Sequence, residues 1–461
     1  MKRSALNLLC VLAAVILGLP GVVPAQDATN EMRLSLSECV DIALDESPDL
    51  ALARYGVAIA ERGVDASRSS FYPSISASWS TSRSVNGPQE GTYLDQTTGK
   101  VVQTIGESRV SGSQGLSVGG LSIPLYDAGI LAGLSASKQG LRASQMDQEV
   151  SRQDVVFSVK QAYFNLLKAM KLLEVQQEQV RVAEESLKRN ETLYEIGSTA
   201  ISELYSARAN LASAQAMLIS RENTVAIRRT ELSFSMGLGM GVTVAPAEEE
   251  FEVKAPRLTY EAAVGAALEG HPSILSDMYS MLQARESLKG TRRGLRHPTV
   301  RLTGGSFSWS LAKGEQFRGL EDLFLKNYRY SFGVSVSFPL FNMSTENNIR
   351  RQTLQYLRSQ EQLDKTKRQK AQDLRQSYLS LELQRRSIAA NEASVKASEE
   401  NYQLAEERYN LGAGTYLERL QAQRDLFSAR NNLVQVIYDY QIELARLEQR
   451  SGTSVAMIEA E

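Results

Sequence analysis

The chain is poor in the residues that do most enzyme and metal chemistry. Of its 461 residues, two are histidine, two cysteine and two tryptophan. Such a set cannot assemble the histidine and cysteine clusters that hold zinc or iron–sulfur groups, so neither a metal nor another cofactor is expected. Cys10 falls in the N-terminal apolar run, which leaves Cys39 alone and no intramolecular disulfide to form. After that run no stretch approaches the ~18 uncharged apolar residues of a membrane-crossing helix. An excess of either charge is missing as well: 51 basic against 53 acidic residues give a net charge of −2, with no basic footprint for nucleic acid. Gly115-Leu116-Ser117-Val118-Gly119 fits the G-x-S-x-G nucleophile pattern, but that chemistry needs a strand-to-helix turn and a histidine partner. The run sits inside a candidate strand, and His271 and His297 each lie before a proline near a helix boundary. A hydrolase is therefore set aside, and no enzymatic activity is expected.

What is present begins at the N-terminus. Lys2 and Arg3 precede an apolar run from Leu6 to Leu19, and Val23-Pro24-Ala25 closes on a small residue. This is the layout of a secretory signal peptide over residues 1–25. Cys10 lies very early for a lipoprotein cysteine and is read as removed with the signal. An exported protein of the Gram-negative type is then periplasmic, or it enters the outer membrane as a β-barrel.

The rest of the chain repeats itself. Leu34 to Pro48 (LSLSECVDIALDESP) and Leu258 to Pro272 (LTYEAAVGAALEGHP) share one pattern, 224 positions apart. Ile123-Pro124-Leu125-Tyr126-Asp127 returns as Phe338-Pro339-Leu340-Phe341-Asn342, now 215 apart. The same 215 relates Tyr163 to Tyr378, Tyr194 to Tyr409, Gly197 to Gly412 and Glu203 to Glu418. An offset held through so many landmarks marks a duplication. The repeats span 34–237 and 258–452, with a linker at 238–257 and a tail at 453–461. The glycine-rich run from Gly237 to Gly241 ends a helix instead of following a strand, so it reads as a helix C-cap and not a phosphate cradle. Glu248-Glu249-Glu250 reads as a solvated run in the linker.

Each repeat reads as helix, strand, strand, long helix, long helix. Candidate strands cover about 74–85 and 109–124 in the first half, and about 299–311 and 328–339 in the second. Tyr328, Tyr330, Phe332, Val334, Val336 and Phe338 alternate with Arg, Ser and Gly, a period of two that fits a membrane-barrel strand or a half-buried soluble one. Breaks in alternation near Gly119-Gly120 and Gly304-Gly305 suggest bulges. The polar stretches 86–108 and 312–327 read as loops. Trp79 and Trp309 both sit in strands; an interfacial aromatic belt or plain strand packing would each place them there. Residues 127–190 and 345–408 read as proline-free helices, each ~90–100 Å long at ~1.5 Å per residue. Helices at about 201–236 and 417–450 follow them. Leu374, Leu381, Ile388, Val395, Tyr402 and Tyr409 recur every seven residues, as do Val159, Leu166, Leu173, Val180, Leu187 and Tyr194. Such heptads impose left-handed supercoiling against neighbours. Gly197 and Gly412 interrupt the helices and are read as hairpin tips.

Four strands cannot close a barrel, and an open sheet edge in lipid is costly. Either the strands lie outside the membrane or several chains share one barrel; three chains would supply twelve strands.

The duplicated Pro48 and Pro272 starts, the Ile-Pro-Leu-Tyr-Asp and Phe-Pro-Leu-Phe-Asn strand ends, and the two Tyr-x-x-Gly-x-x-x-x-x-Glu tips resemble the TolC family of outer-membrane factors over nearly the whole mature chain. The resemblance implies a homotrimer in the outer membrane. Its shared twelve-stranded barrel would carry four strands per chain and continue as a long α-helical periplasmic barrel. It implies a periplasmic adaptor docking at the hairpin tips, here Leu193 to Glu203 and Arg408 to Glu418, with Tyr194, Gly197 and Gly412 among them. It also implies an inner-membrane pump of the RND, ABC or MFS type. By position Tyr409 matches the family's gating tyrosine, Glu203 the acid near it, and Glu418 a carboxylate of the constriction ring. The chain departs from the pattern where the second ring acid is Gln421, the tip arginine is Gly414, and both aligned acids are Glu where the family has Asp. Apart from the resemblance, Glu418 reads first as a solvated first-turn acid favoured by the helix dipole. The function expected is a gated, passive export channel for small molecules or metals. The alternatives are a duct for type I protein secretion and a non-channel coiled-coil structural protein of the periplasm or surface.

Overall fold

The computed structural model describes residues 31–106, 109–239, 242–247, 260–304, 307–311 and 332–452. The signal-peptide, acidic-run and tail readings lie outside them. A short strand β1 (Glu31–Leu34) leads into helices α1 (Leu36–Glu46) and α2 (Pro48–Ser69), then strands β2 (Ser74–Asn86), β3 (Glu90–Leu94), β4 (Val101–Ile105) and β5 (Arg109–Tyr126). The long α3 (Ala128–Glu195), α4 (Ile201–Ser235) and β6 (Thr243–Pro246) complete the first half. The second runs α5 (Tyr260–Gly270), α6 (Pro272–Arg296), β7 (Thr299–Gly304), β8 (Phe307–Leu311), β9 (Phe332–Ser337), α7 (Met343–Asn410) and α8 (Tyr416–Ser451).

Local chemistry explains the junctions. In both halves a proline breaks the first helix, because it cannot supply the backbone N–H that an unbroken helix needs and instead suits a first helical turn. The recurring strand ends supply helix caps. Asp127 Oδ1 accepts from Gly129 N at 2.9 Å and starts α3, and Asn342 Oδ1 accepts from Thr345 N at 3.1 Å and starts α7. Arg301 on β7 lies 3.6 Å from Asp127 and ties the sheet to the helix start.

Strands β2, β5, β7 and β9 form one antiparallel sheet in that order, and β8 continues on β5 in the same register as β7. The bulge expected at Gly304-Gly305 falls partly outside the described residues, which omit Gly305. The β2–β5 register slips between Ser74 and Ser76, opposite Gly119 to Ser122, so the bulge expected at Gly119-Gly120 is found there. A second slip falls at Pro124, which has no N–H for the ladder. The expected strand 299–311 is two pieces, and the described part of 328–339 is β9, with 328–331 outside the described residues. On β9 the apolar residues Phe332, Val334 and Val336 are all well exposed.

Two elements differ from the sequence expectation. Residues 86–108 are not loop throughout: β3 and β4 pair as a hairpin, its turn held by Asp95, which accepts from Thr97 N at 2.9 Å and Thr98 Oγ1 at 2.6 Å. The linker also carries β6, which pairs in parallel with β1 and brings the two ends of the first half together.

The helices α3 and α7 are 68 residues each, ~100 Å at ~1.5 Å per residue. Their heptads bury Val159 and Leu166 in one core with Cys39, Ala43 and Leu232, and Leu374, Leu381 and Ile388 in another with Ala267, Tyr440 and Leu447. Lys160–Glu448 at 2.5 Å and Lys168–Asp439 at 2.8 Å join α3 to α8 across the halves. No described helix is long and apolar enough to cross a membrane, and no described His, Cys, Asp or Glu group is arranged to hold a metal. Cys39 is buried and forms no disulfide among the described residues.

His271 caps α6, its Nδ1 accepting from Ser273 N at 3.1 Å, where the first half has Ser47. Burial, and next the Lys370 charge, push its pKa from 6.5 to about 4. The fold therefore holds the ring neutral while the unfolded chain protonates near 6.5. Its stability contribution is intact above pH 6.5 and is lost as pH falls toward 4. At about 1.4 kcal/mol per pH unit the loss approaches ~3 kcal/mol. His271→Ser, copying the first half, should flatten the fall in melting temperature between pH 7 and pH 4.5. An unchanged slope would exclude His271 as its source.

Candidate gate at the helical tips

Both long helices end on the same turn. Gly197 and Gly412 each adopt φ +74°, the left-handed conformation glycine takes without strain. Gly197 N donates to Tyr194 O and Ser198 N to Leu193 O at 2.9 and 2.8 Å; Gly412 N and Ala413 N repeat this on Tyr409 O and Arg408 O at 3.1 and 2.9 Å. The turn sends α4 back along α3 and α8 back along α7.

Just before its turn, Tyr409 reaches across to the first half. Its hydroxyl lies 3.1 Å from Asn190 Oδ1 and 3.3 Å from Glu203 Oε2, within donating distance of both. Burial, then the Glu203 carboxylate, raises the phenol's pKa and keeps it a donor. Asn190 is fully buried and donates Nδ2 to Ser186 O at 2.8 Å. Glu203 also accepts from Thr199 Oγ1 at 2.7 Å. The structure thus brings Tyr409 and Glu203 together.

Beneath Tyr409 lies a network that the sequence pattern did not disclose. Arg419 on α8 is 2% exposed. Its Nε donates to Glu406 on α7, its Nη1 donates to Ser186 Oγ on α3 at 2.8 Å, and its guanidinium lies 5.6 Å from the Tyr409 ring centre. Arg189 on α3 donates to the other Glu406 oxygen at 2.5 Å and to Asn410 Oδ1 at 3.0 Å. Burial pushes the Glu406 carboxyl up, but the hydrogen bonds and charges of Arg419 and Arg189 outweigh it and hold its pKa below 4.5. Two guanidiniums on one carboxylate thus pin α3, α7 and α8 together. The signal for them was in the duplication: Arg419, Arg189 and Asn190 stand where the other half has Leu204, Leu404 and Ala405.

The remaining candidates lie elsewhere. Glu418 is exposed and completes a capping box: Thr415 Oγ1 accepts from Glu418 N at 3.2 Å, and Glu418 Oε2 accepts from Thr415 N at 3.4 Å. Within one protomer it therefore does what a first-turn acid does, with Arg408 at 3.8 Å. Gln421, one turn on, donates to Asp425 at 2.9 Å. Tyr194 is 41% exposed, unlike its counterpart Tyr409. Gly414 packs against Arg408, to whose carbonyl its N–H donates at 3.0 Å. Trp79 is exposed on β2 and pairs with Leu116, which on its other side pairs with Trp309 in β8, so both tryptophans share one cross-strand row. Ser117 lies inside β5, paired with Ser78 and Ser308, and no strand-to-helix turn exists there.

The family model described as outer membrane efflux protein matches residues 39–238 and 263–453. No curated protein matches. Among solved structures, CusC, studied for folding and transmembrane channel formation, aligns with a TM-score of 0.74 at 20% identity over 92% of this chain and 94% of its own. The CmeC outer membrane channel of Campylobacter jejuni gives 0.73 at 21% over 90% and 85%. The outer membrane protein VceC of Vibrio cholerae gives 0.72 at 18% over 91% and 96%.

Proposed function

The chain belongs to the outer membrane efflux protein family, channels of the outer membrane with a large periplasmic helical extension, and from that premise we propose that it is the gated outer-membrane channel of a tripartite export system. Channels of this family work as trimers with an adaptor and an inner-membrane pump. The single observation that carries the reading is the sheet. Its apolar residues Phe332, Val334 and Val336 are unburied, where a soluble half-buried strand would cover them. Its outer strands β2 and β9 each have one neighbour among the described strands. Three copies closing edge to edge give a twelve-stranded barrel without open edges, which lipid requires. The serines alternating with those apolar residues would then line a wet lumen. The ~100 Å helices carry the conduit into the periplasm, and the tips form its gate, latched by Tyr409, Glu203 and the Arg419 network. The adaptor would grip the tips around Tyr194, Gly197 and Gly412. Trp79 and Trp309 would lie at the membrane interface. Cargo follows from the pump, of RND, ABC or MFS type, so small-molecule efflux and type I protein secretion are served by the same duct.

Three Glu418 carboxylates around a narrow entrance would focus negative potential and favour cations. Detergent-purified protein in a planar bilayer should therefore give discrete, cation-preferring channels. Glu418→Gln should keep the channels and lose part of that preference, read as a smaller reversal potential in a salt gradient. An unchanged reversal potential would remove Glu418 from the constriction. Protein that dissolves without detergent and never conducts would favour the coiled-coil structural reading over the channel.

A further inference from the structure

The duplication makes one half of the tip a template for a contact that a single chain cannot show. Inside the protomer, the second hairpin docks on the first. Tyr409, Tyr416 and Leu420 project from α7 and α8 into the groove between α3 and α4, packing on Leu187 and Ala207. In that groove Tyr409 meets Asn190 and Glu203. Moved by 215 positions, the projecting set becomes Tyr194, Ile201 and Tyr205, and the receiving set becomes Tyr402, Ala405, Glu418 and Ala422.

The translated projecting set is bare in the protomer, and so is Glu418 of the receiving set, while Ala405 is half-buried and Ala422 is buried. Tyr194, Ile201 and Tyr205 are 41%, 50% and 60% exposed. A groove of about 620 Å³ runs between α7 and α8, lined by Leu404, Ala405, Leu417, Glu418 and Ala422 among others. Each half therefore has a projecting side and a receiving side. Only one of the two possible junctions is filled within a chain.

We propose that the groove between α7 and α8 receives the projecting side of a second copy of this chain, with the neighbour's Tyr194 hydroxyl donating to Glu418 as Tyr409 donates to Glu203. The occupant is a second copy because the chain already carries that contact once, between its own halves. Closing a ring from such units repeats it at every junction. The inference rests on the trimeric channel reading and adds a role for Tyr194 and a second one for Glu418. The two junctions differ in strength. The internal one has Asn190, Arg189 and Arg419 around the tyrosine. The one between copies has Ala405, Leu404 and Leu204 in their places, and so keeps one polar bond without the ion network. Tips built this way part between protomers before they part within one.

The test is a cross-link in the full-length trimer, after its size in detergent has been confirmed. Tyr194→Cys with Ala405→Cys, treated with a short bifunctional thiol reagent, should give covalent dimers and trimers on a denaturing gel, and neither single variant should. Tyr409→Cys with Asn190→Cys is the internal counterpart and should cross-link without raising the chain's mass. A confirmed trimer in which the internal pair reacts and the 194/405 pair stays monomeric overturns the docking while leaving the channel reading intact. A native protein that is not trimeric overturns both. In bilayers, Tyr194→Phe should raise open probability about threefold or more, the scale of one lost hydrogen bond. It should add nothing to Glu418→Gln; additive effects would mean the two groups do not meet.

Discussion

Replacing Arg419 with methionine should leave a trimer whose channel stands open. Arg419 is 2% exposed and reaches from α8 to both α3 and α7, through Ser186 and Glu406. Its removal leaves the half-buried Glu406 with Arg189 as its remaining cation. Breaking one member of a buried charge network costs about 3–5 kcal/mol, because the groups left behind stay desolvated. That loss falls on the tips, far from the cores around Tyr163 and Tyr440, so the barrel and trimer should survive it. Single-channel recordings at neutral pH should show a large rise in open probability over the unsubstituted protein. Cells making the variant should take up bulky antibiotics that the closed duct excludes. Arg419→Lys should rescue part of the closure, since an ammonium supplies one charge but not the planar fork that bonds Glu406 and Ser186 together. Acid should mimic the substitution. Glu406 has a depressed pKa, so its contribution is complete above 4.5 and disappears as pH falls through the lower folded value. Wild-type openings should accordingly increase well below pH 4.5 and not between pH 7 and 5. A closed, stable Arg419→Met trimer would mean that the network only packs the tips and does not latch them.

The network explains why the heptad seam weakens where it does. On α7 the seam residues Leu374, Leu381 and Ile388 are buried, while Val395, Tyr402 and Tyr409 are only partly so. Oily contacts hold the body of the conduit, and directional polar contacts take over toward the tips. Hydrophobic burial has no preferred geometry, whereas a hydroxyl on a carboxylate or a guanidinium fork is lost outright once its partner moves away. If the tips gate the channel as proposed, release under a partner's pull is better served by the second kind.

The same contrast separates what the sequence disclosed from what it hid. Strand alternation, the proline breaks, the Asp127 and Asn342 strand ends and the glycine turns are local, and each follows from residues within a few positions of one another. Arg189, Glu406 and Arg419 look on paper like the solvated faces of very polar helices, since nothing in their neighbours announces burial. What buries Arg419 and partly covers Arg189 and Glu406 is the arrival of one hairpin on another, a long-range event. The β1–β6 pair was hidden for a related reason: its two four-residue strands are too short for alternation to register, and each finds its partner over 200 positions away. The β3–β4 hairpin lay in a stretch whose polar composition reads as loop, and its apolar residues come as the adjacent pairs Tyr93-Leu94 and Val101-Val102, which show no period of two.

The same substitution at Gly237 and at Gly452 should have very unequal effects, although the two positions correspond under the duplication. Gly237 ends α4 at φ +77° and Gly452 ends α8 at φ +73°, so alanine at either would meet the same backbone strain, about 1–2 kcal/mol. Their surroundings differ. A Cβ at Gly237 would stand 2.6 Å from the carbonyl oxygen of Glu46, 2.9 Å from its carbon and 3.1 Å from Ser47 Cα. These are backbone atoms at the junction of α1 and α2, and they cannot rotate aside. At Gly452 the corresponding neighbours are His271 Cα, His271 Cδ2 and Pro272 Cδ, each 3.6 Å away and in ordinary contact. Gly237→Ala must therefore push the α1–α2 corner off α3 and open the core that holds Cys39 and Ala43. It should cost well over ~3 kcal/mol, in the range of overpacking combined with strain. Gly452→Ala should cost little beyond its strain. Heating the purified trimers and following their dissociation on a denaturing gel would rank them: Gly237→Ala should yield little or no folded trimer, and Gly452→Ala a trimer melting a few degrees low. Equal losses would show that conformation alone, and not the close approach of Glu46, makes glycine necessary at the end of α4.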